Sequence, residues 1–221
     1  MKPFSQWTKE EIEDEFDLTA DRQYGLLQEW LAVSPSFTDA EQQTLRDLSQ
    51  TLLTHVHDWN EEELKIYFIA SLLNMVNFYQ PSYRPFLERE LSVEYGDGKR
   101  LWGIADFLVA SGRQAPKQPF FFLHEYKKEL DSSNDPLGQL LAEMVAAQTA
   151  NVHEQPVYGA YIIGRHWYFV LLEGKIYAES LAYDATKEAE IMQISAVLRR
   201  TKELIDELVG SETQTVQSPK K

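Results

Sequence analysis

The chain of 221 residues carries a formal charge of −14, with 43% hydrophobic residues, 25% charged residues and no cysteine. This size fits one domain with a sizeable core, the missing cysteines exclude disulfides and thiolate metal sites, and the acidity argues against coating nucleic acid by charge alone, since phosphate binding rests on Lys and Arg. No apolar run reaches the length of a membrane span and Met1-Lys2-Pro3-Phe4 opens no signal peptide, so the expectation is a cytoplasmic protein that does not meet a membrane.

Residues 1–59 read as a helical, acidic extension. Thr8-Lys9-Glu10-Glu11 has the form of a capping box, a Thr cap with Glu three residues on. Tyr24, Leu26, Leu27, Trp30 and Leu31 predict a short amphipathic helix that stops near Ser34-Pro35-Ser36. Thr38 starts another, with Leu45, Leu48, Leu52, Leu53 and Val56 at helical spacing. This part carries no visible chemistry and is expected to form a helical layer or an interaction surface.

Asn60 then caps a helix whose stripe is Leu64, Tyr67, Phe68, Leu72 and Met75. The acidic Glu61-Glu62-Glu63 suits the positive end of the helix dipole, and Glu61 lies one turn before Leu64, on the buried side. A hairpin follows: Leu91 to Tyr95 alternates and Gly96-Asp97-Gly98 turns. Its second strand is LWGIADFLVASG (101–112), where Gly103 marks a close backbone approach. A polar loop leads into PFFFLHEYKK (119–128).

On a strand, Glu125 and Lys127 must share one face while His124 and Tyr126 take the other. A charged pair beside Phe120-Phe121-Phe122-Leu123 is expensive to bury without a reason. If the preceding strand lies alongside, Asp106 joins the pair near the end of the sheet. Two carboxylates can hold a hard cation, and an ammonium can steady a nucleophile or a phosphate.

Ser132-Ser133-Asn134-Asp135-Pro136 predicts a helix start, and the Ala- and Leu-rich helix behind it carries Gln139 and Glu143 as i,i+4 neighbours. Gln148 lines up with Leu137, Leu141 and Met144, where it meets either the site or solvent. Two strands, 157–163 and 166–172, joined at Gly164-Arg165, a short strand from Ile176 and a helix over 187–209 complete the pattern, with 210–221 as a frayed tail. His124 is expected to pack against a helix; His55, His57, His153 and His166 form no ligand spacing, and the five tryptophans read as core.

The order of helix, hairpin, Asp strand, Glu-x-Lys strand, helix, hairpin and helix resembles the PD-(D/E)XK nuclease superfamily, bacterial members in particular. Gly103-Ile104-Ala105-Asp106-Phe107 is similar to its aspartate strand, Glu125-Tyr126-Lys127 to its signature, and 60–209 to its domain. The resemblance implies an α/β restriction-endonuclease-like core, a central mixed sheet flanked by helices. It implies Mg²⁺ or Mn²⁺ on Asp106 and Glu125, with Glu61 as a further ligand, and Lys127 and Gln139 assisting the attacking water. The implied activity is metal-dependent hydrolysis of phosphodiester bonds in DNA. The alternative is a silent module of the same fold that recruits a protein, through the N-terminal helices, or a nucleic acid. Pairing of two copies is left open.

Overall fold

The computed structural model describes residues 2–128, 135–151 and 155–216. A 3-10 turn (Phe4–Gln6) and α1 (Lys9–Phe16) lead to a two-residue strand β1 (Thr19–Ala20), α2 (Gly25–Leu31) and α3 (Asp39–His55). Next, α4 (Glu61–Leu64) runs through a π-helical turn (Lys65–Ile69) into α5 (Ala70–Val76). A meander of β2 (Arg84–Tyr95), β3 (Lys99–Ser111) and β4 (Lys117–Lys127) is followed by α6 (Pro136–Ala150). Then come β5 (Val157–Ile163), β6 (His166–Glu173), β7 (Ile176–Glu179), β8 (Tyr183–Asp184) and α7 (Glu188–Val216).

The strands form one open, mixed, eight-stranded sheet in the order β1-β7-β6-β5-β4-β3-β2, with β8 on β6. The pairs β4–β5 and β1–β7 are parallel and the others antiparallel. Helices cover both faces, so the protein is α/β with a mixed central sheet. On one face Phe4, Trp7 and Ile12 pack with Leu140, Leu141 and Met144 of α6. On the other, Leu27, Trp30, Leu45, Phe68, Leu72 and Ile194 form the second core. Residues of the stretch before Asn60 therefore sit in both cores, and Thr19–Ala20 adds an edge strand.

Local chemistry explains the boundaries. Thr8 with Glu11, Thr38 with Glu41 and Asn60 with Glu63 all close reciprocal capping boxes. The hairpin between β5 and β6 turns at Gly164 with φ 55°, a conformation Gly adopts without a Cβ penalty. Two expectations shift. The stripe of the helix over 61–76 is not the one expected: Tyr67 is exposed, and Ile69, Leu73 and Val76 join Leu64, Phe68 and Leu72 inside. The π-turn widens the helix by a residue per turn and so rotates the buried face. The last helix reaches Val216 rather than 209, and residues 217–221 of the expected tail lie outside the described residues, as do 132–134 of the helix start and His153. No helix among the described residues is long and apolar enough to cross a membrane.

Candidate functional site

The site forms where β3 and β4 part. Their ladder stops with Phe107 opposite His124. Beyond it the Tyr126 N–H donates to Asp106 Oδ2 at 3.1 Å, so a side chain takes the place of a backbone acceptor. In β4 the strand alternation holds: Tyr126 belongs to the α7-side core, while Glu125 meets α6 through Gln139 and Lys127 pairs with Glu125. The Lys127 ammonium donates to Glu125 Oε1, and the Gln139 amide donates to Glu125 Oε2 at 2.6 Å and to Glu143 Oε1 at 3.3 Å. Asp135 fixes the start of α6 by accepting from the Gly138 N–H at 2.9 Å, and Pro136 occupies the first turn, which sets the height of Gln139.

Asp106, Glu125, Lys127 and Gln139 are thus brought together. Glu61 is brought to the rim: its carboxylate meets Lys65 at 3.0 Å, not Asp106 or Glu125. Three participants went unassigned in the sequence. Lys65, in the π-turn, reaches Asp106 at 3.2 Å and Glu88 at 3.2 Å as well as Glu61. Its signal was the i,i+4 spacing from Glu61. Glu143 is fully buried one turn beyond Gln139 and shares its amide. Glu88 had no signal: it is a non-glycine residue at φ 49°, skipped in the β2–β3 ladder between the pairs Leu87–Phe107 and Arg89–Ala105, directly across from Asp106. Strain of this kind gathers at functional sites. Gln148 bonds the Gly174 carbonyl at 2.9 Å, away from the cluster. His124 is enclosed by Phe107, Phe122 and Trp167 rings, and burial pushes it down to about 3, so it stays neutral.

The electrostatics are unbalanced. Among the described residues the five carboxylates of Asp106, Glu125, Glu143, Glu61 and Glu88 stand against two ammoniums, Lys65 and Lys127, an excess of three. Burial first, and Asp106 second, push Glu125 up to about 8. Burial, then Glu125, hold Glu143 well above the carboxylate range, and burial raises Asp106 despite Lys65. Burial alone would lower both lysines, but the carboxylates outweigh it and hold them above their usual value. Among the described residues the buried Glu143 Oε2 and Gln139 Oε1 find no hydrogen-bond partner. The cluster therefore needs added positive charge, as protons or as a cation.

Among the described residues no three His, Asp or Glu groups converge as a metal cage. The ammoniums account for that: Lys65 holds Asp106, Glu61, Glu62 and Glu88, and Lys127 holds Glu125. The donor set itself, carboxylate and amide oxygens with an excess of negative charge, fits a hard divalent ion.

A pH dependence follows. Glu125 binds its proton more tightly folded, near 8, than at its ordinary 4.5, so its protonation stabilises the fold below 4.5 and that contribution is lost as pH rises to about 8. The slope reaches at most about 1.4 kcal/mol per pH unit. Asp106 and Glu143 act in the same direction. In thermal melts Glu125→Gln should gain on wild type between pH 5 and pH 8, and Mg²⁺ should raise the wild-type Tm more at pH 8 than at pH 5. Parallel pH profiles would show that the carboxylates are already neutralised.

Fold and cluster together define an α/β protein that gathers surplus carboxylates and two ammoniums at the splayed end of an open mixed sheet. No protein-family model matches the chain, and no curated protein matches it.

Proposed function

We propose that this protein is a metal-dependent phosphodiesterase acting on DNA, with a restriction-endonuclease-like core of the PD-(D/E)XK type. One observation carries the reading. Asp106 stands at the parting of two strands, beside a buried Glu125 that accepts from Lys127 and Gln139 at once. The succession of a helix, the antiparallel β2–β4, α6, and β5 parallel to β4 supports the core assignment.

Asp106 and Glu125 would hold Mg²⁺ or Mn²⁺, with Glu61 available once Lys65 releases it. Bound there, the ion supplies charge neutralisation and makes water a stronger nucleophile at neutral pH. Gln139 keeps Glu125 in one rotamer by donating to the oxygen that Lys127 does not hold. Lys127, tethered beside the carboxylates and charged, donates to the attacking water and to the phosphate oxygens as negative charge grows on them. Attack by the water oxygen forms one P–O bond as another breaks; the water's proton passes to an ionised carboxylate of the cluster or to solvent, and the leaving alkoxide takes a proton from solvent or from a protonated carboxylate.

The test is cleavage of labelled linear, circular and single-stranded DNA with Mn²⁺, beside Asp106→Ala. Metal-dependent cutting lost in the variant supports the reading, and the preferred DNA separates end from interior cleavage. A second reading, a silent module that recruits a protein or a nucleic acid, is favoured by one feature: the Lys65 ammonium already sits among four carboxylates, those of Glu61, Glu62, Glu88 and Asp106. A folded protein that cuts no nucleic acid would establish it.

A further inference from the structure

A groove of about 400 Å³ lies between α5 and β2, and its lining departs from the rest of this acidic surface. Arg84, Arg89 and Arg113 face it. Among the described residues none of the three has a carboxylate partner: Arg84 donates to the Gly112 carbonyl and the Tyr79 hydroxyl, Arg89 to the Leu87 and Glu88 carbonyls. Elsewhere Arg46, Arg100, Arg199 and Arg200 each hold an acid. No acid lines the groove among the described residues, and the two that flank Arg89 in β2 are paired elsewhere, Glu90 with Arg100 and Glu88 with Lys65. Tyr79, 62% exposed, has its ring centroid 5.1 Å from the Arg84 guanidinium, and Leu87, 61% exposed, lines the same groove.

We infer that this groove binds a single strand of nucleic acid, its arginines on consecutive phosphates and Tyr79 stacked on an unpaired base. Uncompensated guanidiniums in a chain of net charge −14 select an anion, and their fork geometry suits phosphate oxygens. An exposed ring with an apolar neighbour is a platform for a base, and only an unpaired base offers its face. No member of the carboxylate cluster lines the groove, Glu88 and Asp106 facing a separate hollow beside Phe4 and Trp102, but the two adjoin along the strands. Phe107 lines the groove and follows Asp106 in β3; Leu87 and Arg89 line it and flank Glu88, whose carboxylate lies on the lysine that reaches Asp106. The inference rests on the phosphodiesterase reading for its purpose, but not for its test.

That test is fluorescence anisotropy of labelled oligothymidylate in EDTA, where no metal-dependent step occurs. Arg113→Glu and Tyr79→Ala both change exposed side chains and leave the cores intact. Binding should weaken steeply with salt, and Arg113→Ala should flatten the slope of log K against log salt by about 0.7. Tyr79→Ala should weaken binding roughly tenfold with the slope unchanged, Arg113→Glu should weaken it further, and a duplex of equal length should bind less well. Oligouridylate in a parallel arm separates RNA from DNA as the source of the strand. Equal binding by wild type and both variants, or no binding, overturns the inference. So does a dimer on size exclusion that Leu87→Asp dissolves with no oligonucleotide bound, since the groove would then seat a second copy. Binding in EDTA without any cutting in Mn²⁺ leaves the groove standing and removes the hydrolytic reading instead.

Discussion

Lys127→Met should lower Mn²⁺-dependent cleavage by roughly 10²- to 10³-fold, the loss typical when one donor to a developing oxyanion is removed. The same change tests how the cluster is held together. Lys127 is the ammonium on Glu125, a carboxylate with no exposed surface. Removing one partner of a buried pair commonly costs about 3–5 kcal/mol. Here Glu125 has an escape, because burial already holds its pKa near 8 and it can take up a proton. The loss should therefore be close to 3 kcal/mol at pH 8.5 and clearly smaller at pH 6, whereas a lost surface pair would cost the same at both. Glu125→Gln combined with Lys127→Met removes both charges and should recover most of the stability while activity stays lost. Urea titrations of the two variants at both pH values make the comparison. A penalty that is independent of pH, or no recovery in the double variant, would mean that the pair is not buried as described.

Gly138→Ala should destabilise the protein, although helix propensity argues the reverse. Alanine normally stabilises a helix interior by about 1 kcal/mol over glycine. A Cβ at 138 would stand 2.5 Å from the Lys9 nitrogen and the Thr8 carbonyl carbon and 2.6 Å from the Trp7 carbonyl oxygen. All three are backbone atoms, and the same stretch is tied down by the Lys9 N–H donating to Asp135 Oδ2 at 2.7 Å. Neither side can yield by rotating a side chain, so overpacking of about 1–3 kcal/mol or more outweighs propensity. The consequence reaches the site, since Gln139 is the next residue and α6 would have to shift. The variant should unfold at lower urea and also lose cleavage. A more stable Gly138→Ala would contradict the packing of residues 7–9 on α6. Gly103 is the counterpart on β3: a Cβ there stands 2.4 Å from the ring and 2.9 Å from the Cβ of the fully buried Phe4.

These cases show what the sequence discloses. The three capping boxes, the hairpin glycines and the strand runs are local signals, and the helices and strands they announce are present. The shared face of Glu125 and Lys127 follows from strand parity alone, and the close approach at Gly103 from its place in a strand. What parity could not supply was the phase of the helix over 61–76. A π-turn comes from hydrogen bonding to i+5, no residue type demands it, and it turns Lys65 to Asp106 and Tyr67 to solvent. Glu88 escaped for a similar reason, because its left-handed backbone belongs to a skipped position in the β2–β3 ladder that no residue type announces. Glu143 was readable as a neighbour of Gln139 but looked like any acid on a helix; only its complete burial makes it part of the cluster.

The most direct test of the site is calorimetric titration of Mn²⁺ into wild type and Asp106→Ala at pH 8. Saturable binding to wild type, with proton release as the raised carboxylates ionise, and its loss in Asp106→Ala, is the expected result. Equal heats from both proteins would contradict a cation site at the parting of β3 and β4, and would leave Lys65 and Lys127 as the permanent counter-charges of a cluster that binds without cutting.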